Sequence, residues 1–215
     1  MFTFDHIGEP YWDDAPVYIV GGGPSLAGFD FGRLRGRGHV IGVNQSMFTA
    51  PCECGVSVDH PFVRNRTNPL YEFACNHPLY LSVGNEWEKS DLPGIKGAHY
   101  IWSVPAPGLS ANCEYIHKGS TSGYAALGIA VLKKARKIFL LGFDYRTIAG
   151  KHHYHDQYPW YHRANDQSWA AWGHKYEPAA RDCQSRGIEV FNTSPESELP
   201  FFRKITLEAA LDAAS

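Results

Sequence analysis

The stretch Val17-Tyr18-Ile19-Val20-Gly21-Gly22-Gly23-Pro24-Ser25-Leu26 decides the fold. Four β-branched and aromatic residues in a row read as a buried strand. Three glycines then allow a tight turn and a close approach to a ligand, because no Cβ stands in the way. Pro24 suits the first turn of a helix, and Ser25 brings a hydroxyl beside the same amides. Strand, glycine turn and helix start together form the arrangement that holds phosphate against backbone N–H groups. The stretch therefore predicts a nucleotide ligand.

Working outward, residues 38–43 and 55–58 read as further strands, ending at Asn44-Gln45 and Asp59-His60. Residues 79–81 and 100–102 are shorter strand candidates. From Ser122 the pattern changes to an alanine-rich helix reaching about residue 135. A fully apolar strand over 137–141 follows, stopped by Gly142. Beyond it lie a His/aromatic-rich insertion (144–165), a helix over 167–185 stopped by Gly187, a strand over 188–191 and a helix capped by Thr206. Alternating strands and helices predict a single α/β domain over 1–215. Its sheet is open, mostly parallel and Rossmann-like, flanked by helices, with ligands at the carboxyl ends of the strands. Pro and Gly in 84–119 suggest a lid loop there, and 144–165 is a second lid candidate.

The chain has 215 residues, 44% of them hydrophobic, and a net charge of -2, which carries no strong nucleic-acid signature. No run of about 18 apolar residues is present for a membrane span. Residues 1–6 show no basic segment followed by an apolar core, so a cytoplasmic protein, of a bacterial or phage-infected cell, is expected. Oligomeric state stays open, a homo-oligomer included. Five cysteines do not suggest a disulfide framework. Cys52, Cys54, Cys75 and His77 are of zinc-ligand type, but their C-x-C and C-x-H spacings are tighter than zinc sites use. The site expectation therefore names no metal ligand.

The polar residues at the strand tips narrow the ligand. A dinucleotide site wants a third glycine where Leu26 stands and an acid where Asn44 stands. Both tests fail, which favours a nucleotide other than NAD. Asn44 and Gln45 offer donors and acceptors to a base or sugar. Ser120, Thr121, Ser122 and Gly123 open the alanine-rich helix and form either a second anion site or a plain cap. Phe143, Asp144 and Tyr145 follow the strand over 137–141. Five of the chain's eleven histidines fall between 152 and 174. Histidine suits a general base, since its ordinary pKa of about 6.5 lies near working pH.

These motifs together resemble the sialyltransferase-like glycosyltransferases. Residues 17–26 are similar to the G-x-G-P-S-L motif of the bacterial family 42 enzymes, and Asn44-Gln45 to the Asn-Gln after their second strand. Thr121-Ser122-Gly123, the helix and residues 138–144 resemble their T-S-G, strand and G-[IF]-D segment. The same stretch is similar to the small sialyl motif of the animal family 29 enzymes, with His153-Tyr154 in the place of their His-Tyr. The scaffold also resembles an archaeal hydroxymethylpterin pyrophosphokinase family that uses ATP and magnesium. Residues 190–199 resemble the ending of uncharacterised tailed-phage proteins.

The resemblance implies transfer of a sugar from a nucleotide-sugar donor, of CMP type, to an acceptor hydroxyl. It implies a histidine base (His153, His155 or His162) and no required cofactor. Gly21, Gly22, Gly23, Pro24, Ser25 and residues 120–123 would hold the phosphate and ribose. Asn44 and Asp59 would orient the donor. The alternatives are magnesium-dependent pyrophosphoryl transfer through Asp59, Asp144 and Asp156, and nucleotide binding without catalysis. The acceptor is not specified by any of these motifs.

Overall fold

The computed structural model describes residues 5–65, 69–84, 94–119, 121–156 and 166–213. The strands are β1 (Val17–Val20), β2 (His39–Val43), β3 (Cys54–Ser57), β4 (Leu79–Val83), β5 (Ala98–Val104), β6 (Tyr115–His117), β7 (Lys137–Leu141), β8 (Glu189–Asn192) and β9 (Arg203–Lys204). The helices are α1 (His60–Arg64), α2 (Leu70–Asn76), α3 (Ser122–Leu132), α4 (Asp166–His174), α5 (Tyr176–Ser185) and α6 (Leu207–Asp212). Among the described residues the strands form one sheet, ordered β6-β5-β4-β3-β2-β1-β7-β8-β9, and every pairing is parallel. This is the expected open α/β sheet.

β1 and β7 are neighbouring interior strands, and both faces of each are covered. Val17, Ile19, Ile138 and Leu140 face the layer containing α3 and α5. Tyr18, Val20, Phe139 and Leu141 face the layer containing α2 and α6. The alternation follows from the two-residue period of a strand, and the unbroken apolar run follows from burial on both sides. In-register pairing brings Tyr18 against Phe139, ring centroids 5.2 Å apart. The Tyr18 hydroxyl donates to the Ala210 carbonyl at 3.0 Å, which fastens α6 to the sheet. α3 is buried from Ser122 through Val131. Its alanines and glycines let it lie close to the sheet, and a helix apolar all round belongs in a core.

Three expectations change. The helix over 167–185 is two helices, broken at Lys175. Pro178 explains the break. In a continuous helix it would lack the N–H for the His174 carbonyl and its ring would strike that carbonyl, whereas in the first turn of α5 it does neither. The stretch 84–119, of which 85–93 lie outside the described residues, is not only loop: β5 extends the expected strand over 100–102, and β6 is an unexpected strand. Finally, β9, α1 and α2 were not foreseen. They are two to seven residues long, too short to show a period.

The chain runs outward from β1 to β6, then returns through α3 to β7 on the other side of β1. The strand order therefore reverses between β1 and β7, and a crevice opens at their carboxyl ends. At the opposite end of the sheet Lys133 is buried. Its ammonium donates to the carbonyls of Gly8 (3.1 Å) and Pro10 (3.3 Å) and lies 4.9 Å from the Trp12 ring centre, fastening the N-terminal arm.

Candidate functional site

The crevice is a cleft of about 670 Å³ at the tips of β1, β2, β3 and β7 and the start of α3. Gly21, Gly22, Gly23 and Pro24 form one wall. The glycines here make room chiefly for the protein itself. The Gly21 amide donates to the Leu141 carbonyl at 2.8 Å and the Gly23 amide to the Gly142 carbonyl at 2.9 Å. A Cβ on Gly23 would stand 2.3 Å from Asp144 Oδ2. The helix start is a single 3-10 turn, Pro24–Leu26. Its Ser25 amide donates to Asp144 Oδ2 at 2.8 Å. Asp144 is 1% exposed, so a resident carboxylate takes an amide that the sequence reading had offered to phosphate. Gly22 faces the histidine loop instead, accepting from the Tyr154 amide at 3.1 Å.

Asp144 is braced from behind. Ser25 and Ser194 share a hydroxyl contact of 2.8 Å, and the Ser194 amide donates to Asn192 Oδ1. Asn192 Nδ2 and the Ser197 hydroxyl both donate to the Phe143 carbonyl. The segment after β8 is thus a buried polar support for the turn that carries Asp144. Ser25 belongs to this support and does not line the cleft.

Asn44 follows β2 in the left-handed region, at φ 50, a conformation asparagine tolerates better than most residues. It lines the cleft, and its Oδ1 is buried with no hydrogen-bond partner among the described residues. Gln45 lies outside the cleft lining, in the 3-10 turn Asn44–Phe48. Asp59 lines the cleft but also caps α1, accepting from the Phe62 amide at 3.3 Å.

Thr121 caps α3, accepting from the Tyr124 amide at 3.2 Å, and its hydroxyl lies 3.2 Å from those of both Tyr145 and Tyr176. Tyr145 donates to Tyr176 at 2.9 Å. Burial pushes the Tyr145 phenol up to about 12 and raises the Tyr176 phenol well above its ordinary value, so both stay protonated at neutral pH. The Ser122 hydroxyl accepts from the Val58 amide at 3.0 Å, tying α3 to the end of β3. Gly123 and Phe143 also line the cleft, and a Cβ on Gly123 would lie 2.7 Å from the Phe143 ring. Ser120 lies outside the described residues.

In the histidine loop, His153 lines the cleft. It stacks on His155 with centroids 5.4 Å apart. His155 lies outside the lining, and burial pulls its pKa from 6.5 to about 4. His162 lies outside the described residues. His60, from the expected Asp59-His60 tip, and His152, from the histidine run, also line the cleft, while Arg146 and, from α4, Trp169 and Trp172 reach it unforeseen. The two tryptophans, 5.4 Å apart, sit three residues apart on one helix. That spacing was the signal available in the sequence. Among the described residues no three His, Cys, Asp or Glu side chains converge as a metal site. Cys52 and Cys54 are buried, whereas Cys75 is exposed.

A parallel sheet wound both ways from β1, with a cleft at its switch point, defines a Rossmann-like α/β domain. The same fold occurs in the solved MAf glycosyltransferase of Magnetospirillum magneticum AMB-1. That structure aligns with 99% of this chain at a TM-score of 0.62 and 15% identity. The chain spans 38% of that protein's length. No family model and no curated sequence matches. Among the described residues no helix is long and apolar enough to cross a membrane.

Proposed function

We propose that this chain is the catalytic domain of a glycosyltransferase that uses a nucleotide-sugar donor, of CMP type. The observation that carries the reading is the cleft itself. At the switch point it offers an open acceptor (Asn44 Oδ1), the start of α3 and an imidazole, on a fold shared with a glycosyltransferase.

In this reading Asn44 meets the base or ribose. The amides of Ser122 and Gly123, the first two of α3, have no partner within the helix and meet the phosphate. His153 takes the proton of the acceptor hydroxyl. The freed oxygen lone pair attacks the anomeric carbon, and the bond from that carbon to the phosphate oxygen breaks. The phosphate leaves with the bonding electrons, and the helix-start amides stabilise its charge without a metal. His155 packs behind His153 and, with its low pKa, is a poor base at neutral pH.

One observation favours a second reading. Asp144 Oδ1 is buried at the cleft without a partner among the described residues. Magnesium is commonly held by one or two carboxylates plus substrate phosphates, so Asp144 would suffice for magnesium-dependent phosphoryl transfer.

The test is a thermal-shift and turnover screen of CMP, UDP, GDP and ADP and their sugars, with and without magnesium. A ligand that binds only the folded state raises its apparent stability with concentration. Donor binding and sugar release in the presence of EDTA support the first reading. Turnover abolished by EDTA supports the second. Tight binding with no turnover of any donor leaves a binding module and overturns both.

A further inference from the structure

Beyond β3 the carboxyl tips of the sheet continue as a second, smaller hollow of about 120 Å³. Ser82 near the end of β4, Ser103 near the end of β5 and His117 at the end of β6 line it. Ser82 and Ser103 are 7% and 4% exposed. Val58 and Thr121 belong to the walls of both this hollow and the main cleft, so the two adjoin.

The ring of His117 is held in one tautomer. Its Nδ1 lies 2.9 Å from the Pro107 carbonyl oxygen and 3.1 Å from that of Gly108. A carbonyl oxygen only accepts, so Nδ1 carries the proton, and the neutral ring presents Nε2 as an acceptor. The Gly108 carbonyl is itself held by the Tyr124 hydroxyl of α3, at 2.5 Å. The Ser103 hydroxyl donates to the Val83 carbonyl at 3.1 Å, which leaves its lone pairs to accept. Ser82 adds a second hydroxyl, and Lys118 stands on the same wall. No carboxylate lines the hollow among the described residues. Acceptors and hydroxyls packed this closely suit a ligand carrying several neighbouring hydroxyl groups.

We infer that this hollow is the acceptor subsite, taking one sugar ring whose hydroxyl donates to His117 Nε2. The inference rests on the glycosyl-transfer reading. It places the acceptor on the β3–α3 side of the cleft, against Thr121, next to the bound donor. His117 binds the acceptor in this scheme, while His153 remains the base.

The test is a nuclear magnetic resonance titration of the full chain, labelled with nitrogen-15. Methyl β-D-galactopyranoside and D-glucuronate serve as probes, the second carrying a carboxylate that Lys118 would meet. A saturable shift of the His117 ring nitrogens by either sugar is expected. His117→Ala should weaken that sugar about 3- to 10-fold, as for one lost hydrogen bond. His117→Gln, which keeps an acceptor oxygen, should recover part of the loss. The amide spectrum of each variant shows whether it is folded. The inference is overturned if neither sugar moves the His117 ring, or if a folded His117→Ala binds as well as the parent. Nucleotide binding is read separately from the Gly22 and Asn44 amides. Nucleotide binding there without a sugar response at His117 would sink the subsite alone. A sugar response without nucleotide binding would sink the donor reading and leave the sugar site.

Discussion

Asp144 Oδ2 accepts the Ser25 amide at 2.8 Å, across the gap between the tips of β1 and β7. The two strand ends that define the switch point are therefore joined by a side chain as well as by the sheet. Gly23 permits that join, since a Cβ there would stand 2.3 Å from the same carboxylate oxygen. Removing the carboxylate leaves a part-buried amide without its acceptor. Asp144→Ala should lower stability by about 1–3 kcal/mol. Gly23→Ala, which drives a Cβ into the same carboxylate, should cost about as much through overpacking. Urea unfolding with an unchanged slope measures both.

Asn44 separates backbone strain from ligand contact. Its φ of 50 suits glycine and disfavours alanine. Asn44→Ala should be less stable than Asn44→Gly by about 1 kcal/mol. Both remove the buried Oδ1 and should weaken nucleotide binding by about tenfold. Calorimetric unfolding and ligand titration of the two variants check each half.

The depressed pKa of His155 sets a pH dependence. Burial favours the neutral ring, so the unfolded chain binds a proton more readily between pH 6.5 and about 4. Stability from this group is fully present above pH 6.5 and is lost as pH falls through that window. His155→Phe should flatten the stability profile between pH 7 and 4.5 relative to the parent. An unchanged slope in that variant would show that His155 is not the responsible group.

Thr121 serves a cap and a hydroxyl cluster at once. Thr121→Val keeps the shape but removes the acceptor for the Tyr124 amide and a partner for two buried phenols. A loss of about 1–2 kcal/mol is expected, with Thr121→Ser recovering more than half. Midpoints of denaturant unfolding give the comparison.

Lys133 predicts a local effect. Its ammonium binds the Gly8 and Pro10 carbonyls and lies over Trp12. Lys133→Met should fill the same space without those bonds. Amide exchange over residues 5–12 should then rise well above that of β1, whose protection should change little.

The sequence by itself determined the fold class and the axis of the site. Residues 17–20 and 137–141 were recognisable because strands buried on both faces must be apolar throughout. Gly21–Gly23, Asn44, Asp59 and Thr121 stood out because polar and glycine residues break such runs at the tips. What each tip residue does was settled by tertiary structure. Asp144 proved to hold Ser25, Ser122 to hold Val58 and Asp59 to cap α1, since a hydrogen bond pairs groups far apart in sequence and leaves no local pattern. The same holds for His153 and His155, two positions apart in the sequence motif. One lines the cleft beside Trp169 while the other, half-buried, packs against it outside the lining, a difference set by packing rather than by residue type. His117 was invisible for a related reason. A three-residue edge strand has no period to read, and its imidazole acquires a defined acceptor face only through the carbonyls of a loop ten residues away.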